Sequence, residues 1–245
     1  MRRPWVIGHR GAPGHAPENT IASFRRAVEL GAAFIETDLR LSHDARFVAM
    51  HDPTVDRTTD GKGLVRELTL AELRELDAGS WYGKQFAGER IPSIEEVLMF
   101  ARDVDVVAYL EVKIEDAWGV HHALVSALRA ANETARAVII SFDATFLDNV
   151  RRLDTTLLTG FLYEPPMTDA IEKAQRIGVR QILPRADLVT PELVAAAHAA
   201  DLQIATWTVD DPKRMCELIS ADVNGIMTNY PDRLGLAIAD CFKED

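Results

Sequence analysis

The chain has 245 residues, of which 47% are hydrophobic, with 38 acidic and 27 basic side chains and a net charge of -11. This apolar fraction excludes a disordered chain, and the acidic balance argues against a nucleic-acid-binding protein, which usually shows a basic patch. No apolar run approaches the roughly 18 residues of a membrane span, and the run behind the basic start is too short for a signal peptide. Two cysteines, Cys216 and Cys241, imply no disulfide framework. We expect a cytoplasmic protein without stable membrane insertion.

Short apolar segments alternate with longer amphipathic segments along the chain. The pattern predicts strands near Trp5–Gly8, Phe34–Leu39, Phe47–Met50, Val106–Val112, Ala137–Ser141, Leu157–Leu162, Val179–Leu183, Gln203–Trp207 and Gly225–Thr228. It predicts helices over Thr20–Leu30, Thr69–Leu76, Ile94–Ala101, Val120–Ala131, Ala144–Leu153, Thr168–Ile177, Pro191–Ala200, Pro212–Ile219 and Pro231–Ala239. Such alternation is typical of an α/β protein, and this length favours a (β/α)8 TIM barrel. An open doubly wound sheet is the alternative, but no G-x-G-x-x-G motif opens the first helix.

One segment interrupts the alternation. Residues 51–92 are rich in Gly, Asp, Thr and Arg, whereas a connection from strand to helix usually has about 2–6 residues. Long insertions of this kind lie on the catalytic face of a barrel. We therefore predict a single TIM-barrel domain over residues 1–245, with an insertion after the second strand, at about 51–92, on the catalytic face.

Acidic side chains lie at the ends of two predicted core strands. Glu36 and Asp38 are two residues apart, so they share one face of a strand, and Glu111 and Lys113 repeat this spacing on the next long strand. Carboxylates on one face repel each other unless a cation neutralises them, and Mg²⁺ and Ca²⁺ prefer oxygen ligands. The alternative is a set of solvated edge acids, which the apolar neighbours of Glu36 argue against. The spacing therefore favours one metal ion held by Glu36, Asp38 and Glu111, with Lys113 beside it as a point charge for an anion.

Two histidines also follow strands. His9 and Arg10 come directly after the first strand, and His51 with Asp52 comes after the short strand that ends at Met50. Active sites of barrels lie at the carboxyl ends of the strands, and a pair of histidines suits general acid–base catalysis near neutral pH. The alternatives are a loop histidine beside a surface arginine, and an Asp-Pro turn with an incidental histidine.

Taken together, these motifs resemble one known family, the glycerophosphodiester phosphodiesterases. The resemblance covers essentially the whole chain and is carried by His9-Arg10-Gly11, Ala16-Pro17-Glu18-Asn19-Thr20, Glu36-Thr37-Asp38, His51-Asp52, the segment Gly79–Glu96, Glu111-Val112-Lys113 and Trp207-Thr208-Val209. It implies metal-dependent hydrolysis of a glycerophosphodiester to sn-glycerol 3-phosphate and an alcohol.

The resemblance also implies a role for each site residue. Glu36, Asp38 and Glu111 would bind one divalent cation, Mg²⁺ or Ca²⁺, with Mn²⁺ as a further option. His9 and His51 would be the acid–base pair, and our hypothesis is that His9 is the acid and His51 the base. The remaining roles are phosphoryl binding by Arg10 and Lys113, and packing of Trp207 against the glycerol moiety. The alternative for Trp207 is an ordinary core aromatic. Glu18 and Asn19 would order the loop after His9, although we favour a simpler role for them at the start of the first helix.

Charge supports this interpretation. Three carboxylates, one divalent cation and the side chains of Arg10 and Lys113 leave one positive charge, which a phosphodiester anion neutralises. Without the cation the site has a negative charge and repels its substrate, so we predict metal-dependent activity.

Some alternatives and departures stay open at this point. A related phosphodiesterase acting on lysophospholipids or glycerophosphoinositol, a lyase that stops at a cyclic product, and an inactive barrel used as a binding module all fit the fold. The nucleophile is either water or a glycerol hydroxyl, and the chain is either a monomer or a homo-oligomer. Asp210 and Asn229 stand where relatives often carry Asn and Asp, and we interpret both as helix-capping residues. The turn Ser42–Ala45 lacks the glycine that relatives often carry, which predicts local strain.

Overall fold

The structure is a computed structural model that describes residues 2–114 and 119–243. Its strands are β1 (Trp5–Gly8), β2 (Phe34–Leu41), β3 (Phe47–Ala49), β4 (Val107–Val112), β5 (Ala137–Ser141), β6 (Leu158–Tyr163), β7 (Gln181–Pro184), β8 (Gln203–Thr206) and β9 (Gly225–Thr228). Its α-helices are α1 (Ile21–Glu29), α2 (Leu70–Glu75), α3 (Ile94–Asp103), α4 (Val120–Ala131), α5 (Ala144–Leu153), α6 (Ala170–Ile177), α7 (Pro191–Ala199), α8 (Pro212–Ser220) and α9 (Pro231–Cys241).

Eight parallel strands of this described part close into a barrel. The sheet runs β1-β9-β8-β7-β6-β5-β4-β2, and β1 also pairs with β2, so the ring is complete. Strand β3 pairs antiparallel with the end of β2, outside the ring. Helices connect the parallel strands, and this confirms the predicted (β/α)8 TIM barrel over the open sheet.

Two apolar layers hold the barrel together. Side chains from seven of the ring strands fill its interior, namely Ile7, Tyr109, Val138, Ile140, Leu162, Leu183, Ala205 and Met227. A larger cluster, which includes Phe24, Leu98, Leu124 and Leu147, packs the helices against the outside of the sheet. Both faces of the strands are covered, so most strands appear in the sequence as short apolar runs. This pattern is usual for strands of parallel sheets.

Local signals in the sequence set the helix starts. The Thr190 side chain accepts a hydrogen bond from Leu193 N, and Pro191 occupies the first turn of α7. Ser93 and Glu96 form a capping box that starts α3, immediately after the long segment. At the other end of a helix, Gly178 (φ 71°) terminates α6 in the left-handed conformation. The cap ends α6 at Ile177, as predicted, whereas β7 begins at Gln181, two residues later than predicted.

The segment 51–92 has a small apolar cluster of its own. Val55, Val65, Leu73, Ala78 and Ile91 pack with Val48 and Met50, which lie in and just after β3. Short 3-10 helices at Val65–Glu67 and Lys84–Phe86 flank α2 within this segment. Its start carries His51 and Asp52, so the segment is anchored by its own core close to those residues.

The turn after β2 adopts the conformation that its sequence predicts to be strained. Ala45 has a φ of 56°, in the left-handed region that favours glycine.

None of the described helices is long and apolar enough to cross a bilayer.

Candidate active site

Three buried carboxyl groups converge towards the carboxyl ends of β2 and β4. The parallel register pairs Asp38 with Glu111, and Glu36 lies on the same face of β2 as Asp38. One carboxylate oxygen of each residue lies within 4.8 Å of the other two. Their relative exposures of 1% for Glu36, 0% for Asp38 and 9% for Glu111 exclude the alternative of solvated edge acids.

The residues of this cluster fit a divalent cation. Glu36 Oε1 is buried and has no hydrogen-bond partner among the described residues. Burial, together with the neighbouring carboxyl groups of Asp38 and Glu111, raises the pKa of Glu36 well above its usual range. Burial and Asp38 also raise the pKa of Glu111. Carboxyl groups that resist ionisation and converge on one point are suited to share a hard cation with oxygen ligands.

Two cationic side chains flank the cluster. Lys113 Nζ lies 2.9 Å from Asp38 Oδ1 and in close contact with Glu111 Oε1. On the other side, Arg10 Nε lies 3.2 Å from Asp38 Oδ2, and Arg10 N donates to Glu36 Oε2 at 2.8 Å. Although burial opposes ionisation, Lys113 and Arg10 lower the pKa of Asp38. Asp38 is therefore the carboxylate that holds its charge, and each of its oxygens lies beside a cationic side chain.

The loop after β1 is built on close backbone approaches. A Cβ on Gly8 would lie 2.4 Å from Gly11 O, and Gly11 itself has a φ of 89°. Ser23 of α1 accepts a hydrogen bond from Ala12 N and donates one to Arg10 O. These contacts require glycine at both positions and fix the backbone that carries the adjacent His9 and Arg10.

Asn19 orients Asp38. Its amide Nδ2 donates to Asp38 Oδ2 at 2.9 Å, and its Oδ1 accepts from Thr37 Oγ1 and from Asp38 N. The N-cap of α1 is Thr20, so the helix-starting role that we favoured for Glu18 and Asn19 is wrong.

His9 is held through its Nδ1 atom, which lies 2.9 Å from Asn229 Oδ1. Asn229 in turn donates from Nδ2 to Asp210 Oδ2 at 2.6 Å and from its backbone N to Asp210 Oδ1 at 2.8 Å. Burial and the nearby Arg10 charge lower the pKa of His9 from 6.5 to about 4. The ring is consequently neutral at pH 7.

His51 has a carboxylate partner. Its Nδ1 lies 2.7 Å from Asp52 Oδ1, and Arg57 donates to both oxygens of Asp52. These Arg57 hydrogen bonds lower the pKa of Asp52. Arg57 also donates two hydrogen bonds to Glu18, which accepts a third from Arg10. A continuous chain of hydrogen bonds therefore links His51 to Arg10 through Asp52, Arg57 and Glu18.

Trp207 packs on the interior core of the barrel, and its indole Nε1 donates to Leu183 O. Its ring also meets Phe142 edge-on, with the centroids 5.4 Å apart, and Phe142 is 43% exposed. A cavity of about 700 Å³ lies beside this pair; the residues that line it are Arg40, Glu111, Val112, Lys113, Ile114, Ser141, Phe142, Asp143, Ala144, Thr145 and Lys173. Trp207 is therefore a core aromatic that also supports an aromatic wall at the mouth.

A second recess lies on the His9 side. Its volume is about 240 Å³, and it is lined by His9, Arg10, Pro13, Gly14, Glu18, Asn229 and Tyr230. Open space therefore lies both beside Glu111 and Lys113 and beside His9 and Arg10.

Comparison with known proteins identifies the family. The sequence pattern of the Glycerophosphoryl diester phosphodiesterase family matches residues 9–233. The chain belongs to this family. A glycerophosphodiester phosphodiesterase of Caldanaerobacter subterraneus subsp. tengcongensis is 39% identical over 231 residues, which cover 94% of this chain and 95% of that protein. One of Bacillus subtilis is 33% identical over 247 residues, covering 93% of this chain and 84% of the relative. The family resemblance in the sequence is confirmed.

Solved structures of relatives share the fold. A putative glycerophosphoryl diester phosphodiesterase of Silicibacter pomeroyi has a TM-score of 0.88 at 29% identity, covering 97% of this chain and 93% of that one. A phosphodiesterase of Oleispira antarctica, in complex with the product sn-glycerol-3-phosphate, has a TM-score of 0.89 at 28% identity, covering 96% and 97% of the two chains.

The structure thus brings together Glu36, Asp38, Glu111, Arg10 and Lys113, which the sequence singled out. It adds residues whose part in the site the sequence analysis missed: Arg57 and the pair Asp210 and Asn229. Asp210 and Asn229 are not helix caps, because Asp211 caps α8 and Tyr230 precedes α9. The signal in the sequence was that Asp210 and Asn229 stand where relatives often carry Asn and Asp.

Proposed function

We propose that this chain hydrolyses glycerophosphodiesters to sn-glycerol 3-phosphate and an alcohol, in a reaction that depends on a divalent cation. The observation that carries the proposal is the convergence of three buried carboxyl groups between two cationic side chains at the barrel mouth. Membership of the family and the product bound to the Oleispira antarctica relative support the same reaction.

In this proposal Glu36, Asp38 and Glu111 hold the cation, which is Mg²⁺, Ca²⁺ or Mn²⁺. A bound cation supplies Lewis acidity at a phosphoryl oxygen and a fixed point for the substrate. The orphaned Glu36 Oε1 and the raised pKa of Glu36 support this assignment, because the nearby Arg10 does not offset burial and the two neighbouring carboxyl groups.

Arg10 and Lys113 bind the phosphoryl oxygens. Both side chains are mostly buried, with relative exposures of 18% and 19%, and both lie against Asp38. Fixed donors of this kind stabilise the charge that develops on the phosphoryl group without having to reorganise. Because they are already paired with carboxylates, they are in place before the substrate arrives.

The two histidines take the acid and base roles, and the hydrogen bonds favour the reverse of our sequence-based hypothesis. Asn229 Nδ2 faces the Asp210 carboxylate, so its Oδ1 faces His9 and accepts a hydrogen from Nδ1. A neutral ring then has its lone pair on Nε2, as a base requires. His51 donates from Nδ1 to Asp52, whose carboxylate fixes the orientation of the ring, and it takes the remaining role. We therefore assign His9 as the base and His51 as the acid.

Trp207 and Phe142 form the apolar wall for the glycerol moiety, beside the cavity of about 700 Å³. We also propose that residues 51–92 form an insertion of a single domain on the catalytic face. The contacts of Asp52 and Arg57 with His51 and Glu18 support that position.

The test is a panel of glycerophosphocholine, glycerophosphoethanolamine, glycerophosphoglycerol and glycerophosphoinositol, each assayed with Mg²⁺, Mn²⁺ and Ca²⁺ after exhaustive chelation. Release of sn-glycerol 3-phosphate that needs added cation supports the proposal, and equal rates with and without cation contradict it. A single-turnover assay for a cyclic phosphate distinguishes attack by a glycerol hydroxyl from attack by water. A lysophospholipid added to the panel tests the lysophospholipid alternative, and a cyclic phosphate that accumulates as the end product would identify a lyase.

A further inference from the structure

Asp210 lies in the loop after β8 and accepts three hydrogen bonds from the end of β9. Its Oδ1 accepts from Thr228 Oγ1 at 3.0 Å and from Asn229 N at 2.8 Å, and its Oδ2 accepts from Asn229 Nδ2 at 2.6 Å. The neighbouring Val209 N donates to Met227 O, which holds the loop against the strand. The Asp210 carboxylate therefore binds residues that adjoin His9, whereas Asp211 caps the following helix α8.

Asn229 has one orientation that satisfies its neighbours. A carboxylate only accepts, so the amide nitrogen must face Asp210, and the amide oxygen must then face His9 Nδ1. The backbone is fixed as well, because His9 N donates to Thr228 O and Gly14 N donates to Asn229 O. Because Asp210 only accepts hydrogen bonds, it fixes the orientation of the Asn229 amide, and this orientation determines which nitrogen of His9 carries the proton.

We propose that Asp210 is a positioning residue that acts through Asn229 to keep the proton of His9 on Nδ1 and its lone pair on Nε2. The inference rests on the proposed function, in which His9 is the base. It differs from a direct histidine–carboxylate pair, because a neutral amide stands between the two groups. The ring is thus oriented without a negative charge against it, which agrees with a His9 that stays neutral.

Substitution of Asp210 by asparagine reverses the arrangement in a defined way. In D210N the amide oxygen introduced at position 210 would still accept from Thr228 and from the backbone, but the new amide nitrogen would oppose that of Asn229. Relief of this clash requires the Asn229 amide to flip, so that its nitrogen faces His9 Nδ1. The ring must then accept at Nδ1 and carry its proton on Nε2, which is the wrong tautomer for a base.

The exchange of both residues restores the tautomer. In D210N/N229D the amide nitrogen at position 210 donates to the carboxylate at position 229, and that carboxylate accepts from His9 Nδ1. The same number of hydrogen bonds is made at the same positions, with the amide and the carboxylate exchanged. The single change Asn229→Asp instead sets two carboxylates at the distance of the present 2.6 Å hydrogen bond, where they repel.

The experiment measures kcat, KM and the ring nitrogen NMR shifts of His9 in wild type, D210N, N229D and D210N/N229D. We expect kcat to fall at least about tenfold in D210N with KM changed less than about threefold, since a wrong tautomer costs up to about 10⁴-fold in rate elsewhere. We expect the Nδ1–H tautomer in wild type and D210N/N229D, the Nε2–H tautomer in D210N, and recovery of kcat in the double variant. Asp211→Asn is the matched control, because asparagine also caps a helix.

Three results overturn the inference. The first is a D210N enzyme whose kcat stays within about twofold of the D211N control. The second is an Nε2–H tautomer of His9 in the wild type. The wild-type tautomer can be measured even if D210N does not fold. The third is a loss of kcat in D210N that D210N/N229D does not recover. Such a loss would indicate a structural role for Asp210 and overturn the inference. His9→Gln separates this from the proposed function: wild-type turnover in H9Q refutes the role of His9 as base, whereas loss in H9Q with none in D210N refutes the relay alone.

Discussion

Lys113 Nζ lies 2.9 Å from Asp38 Oδ1, so this ion pair places a positive charge inside a cluster of acids that otherwise repel one another. The same ammonium contacts Glu111, and although burial opposes its charge, these two carboxylates raise the pKa of Lys113. A cation that enters the cluster must share the carboxylates with Lys113. The side chain thus both balances the cluster and opposes the entry of further positive charge.

Lys113→Met is therefore expected to separate cation binding from turnover. Loss of the ammonium removes one nearby positive charge, so the affinity for Mg²⁺ or Mn²⁺ should rise at least about tenfold. The value of kcat/KM should fall about 10²-fold or more, because a donor to the phosphoryl group is gone. Calorimetric titration and steady-state assays measure the two effects, with the exposed Lys213→Met as control. Weaker cation binding in K113M would contradict this account of the ion pair.

Glu36→Gln should abolish cation binding without harming the metal-free fold. The substitution removes a buried carboxyl group that lies against two others, so the free energy of unfolding in chelator should stay the same or rise by up to about 2 kcal/mol. The rise in Tm that wild type shows on addition of cation should disappear. Thermal unfolding with and without cation checks both, with the exposed Glu29→Gln as control. A metal-free E36Q that is clearly less stable than wild type would show that the carboxyl group serves the fold instead.

The lowered pKa of His9 should appear in the pH dependence of stability. As the pH falls from 6.5 towards 4, the unfolded chain takes up a proton on His9 that the folded protein does not. The free energy of unfolding should therefore decrease across this window, since stability rises with pH wherever the unfolded state binds more protons. His9→Gln lacks this contribution, and its curve should be flatter. Denaturant titrations in metal-free buffer measure the slopes, and parallel curves would refute the prediction.

The parts of the site that follow from strand periodicity are visible in the sequence. Glu36, Asp38 and Glu111 could be placed on one face because side chains two apart on a strand point the same way, and a barrel has one catalytic end. The parallel register that pairs Asp38 with Glu111 follows from the same fold. Some bounds shift by two residues, since β2 runs to Leu41 instead of Leu39 and α9 to Cys241 instead of Ala239.

The hydrogen bonds that orient the two histidines could not be predicted from strand periodicity. Arg57 reaches Glu18 across 39 positions of the chain, and His9 reaches Asn229 across 220, so no local pattern records either contact. Two adjacent aspartates, Asp210 and Asp211, stand before α8, and either one fits a cap in sequence terms. Only the structure assigns the cap to Asp211.

Asp52→Asn should reduce catalysis by loosening His51. Both oxygens of the carboxylate accept hydrogen bonds, from His51 Nδ1 and from Arg57, and an amide has only one oxygen to accept them. We expect kcat to fall by about 10²-fold or more with little change in cation affinity, since positioned general acids contribute about 10²–10⁴-fold. Asp56→Asn, in the same segment, is the control. Unchanged kcat in D52N would remove His51 from the acid role.

Ala45→Gly should stabilise the protein. Ala45 has a φ of 56°, where an L-residue with a Cβ is strained and glycine is not. The free energy of unfolding should rise by about 0.5–1 kcal/mol, after allowance for the greater entropy of glycine in the unfolded chain. Ala196→Gly, at an exposed position inside α7, is the opposite control and should cost about 1 kcal/mol. Equal losses in both variants would argue against strain at Ala45.

The most direct test of the whole account is a titration of the metal-free protein with Mg²⁺, Mn²⁺ and Ca²⁺ by calorimetry, with turnover of a glycerophosphodiester measured on the same samples. The account predicts one ion per chain for the activating metal, turnover that rises in proportion to occupancy, and loss of both in Glu111→Gln. Full turnover after exhaustive chelation, or one ion still bound by E111Q, would contradict it.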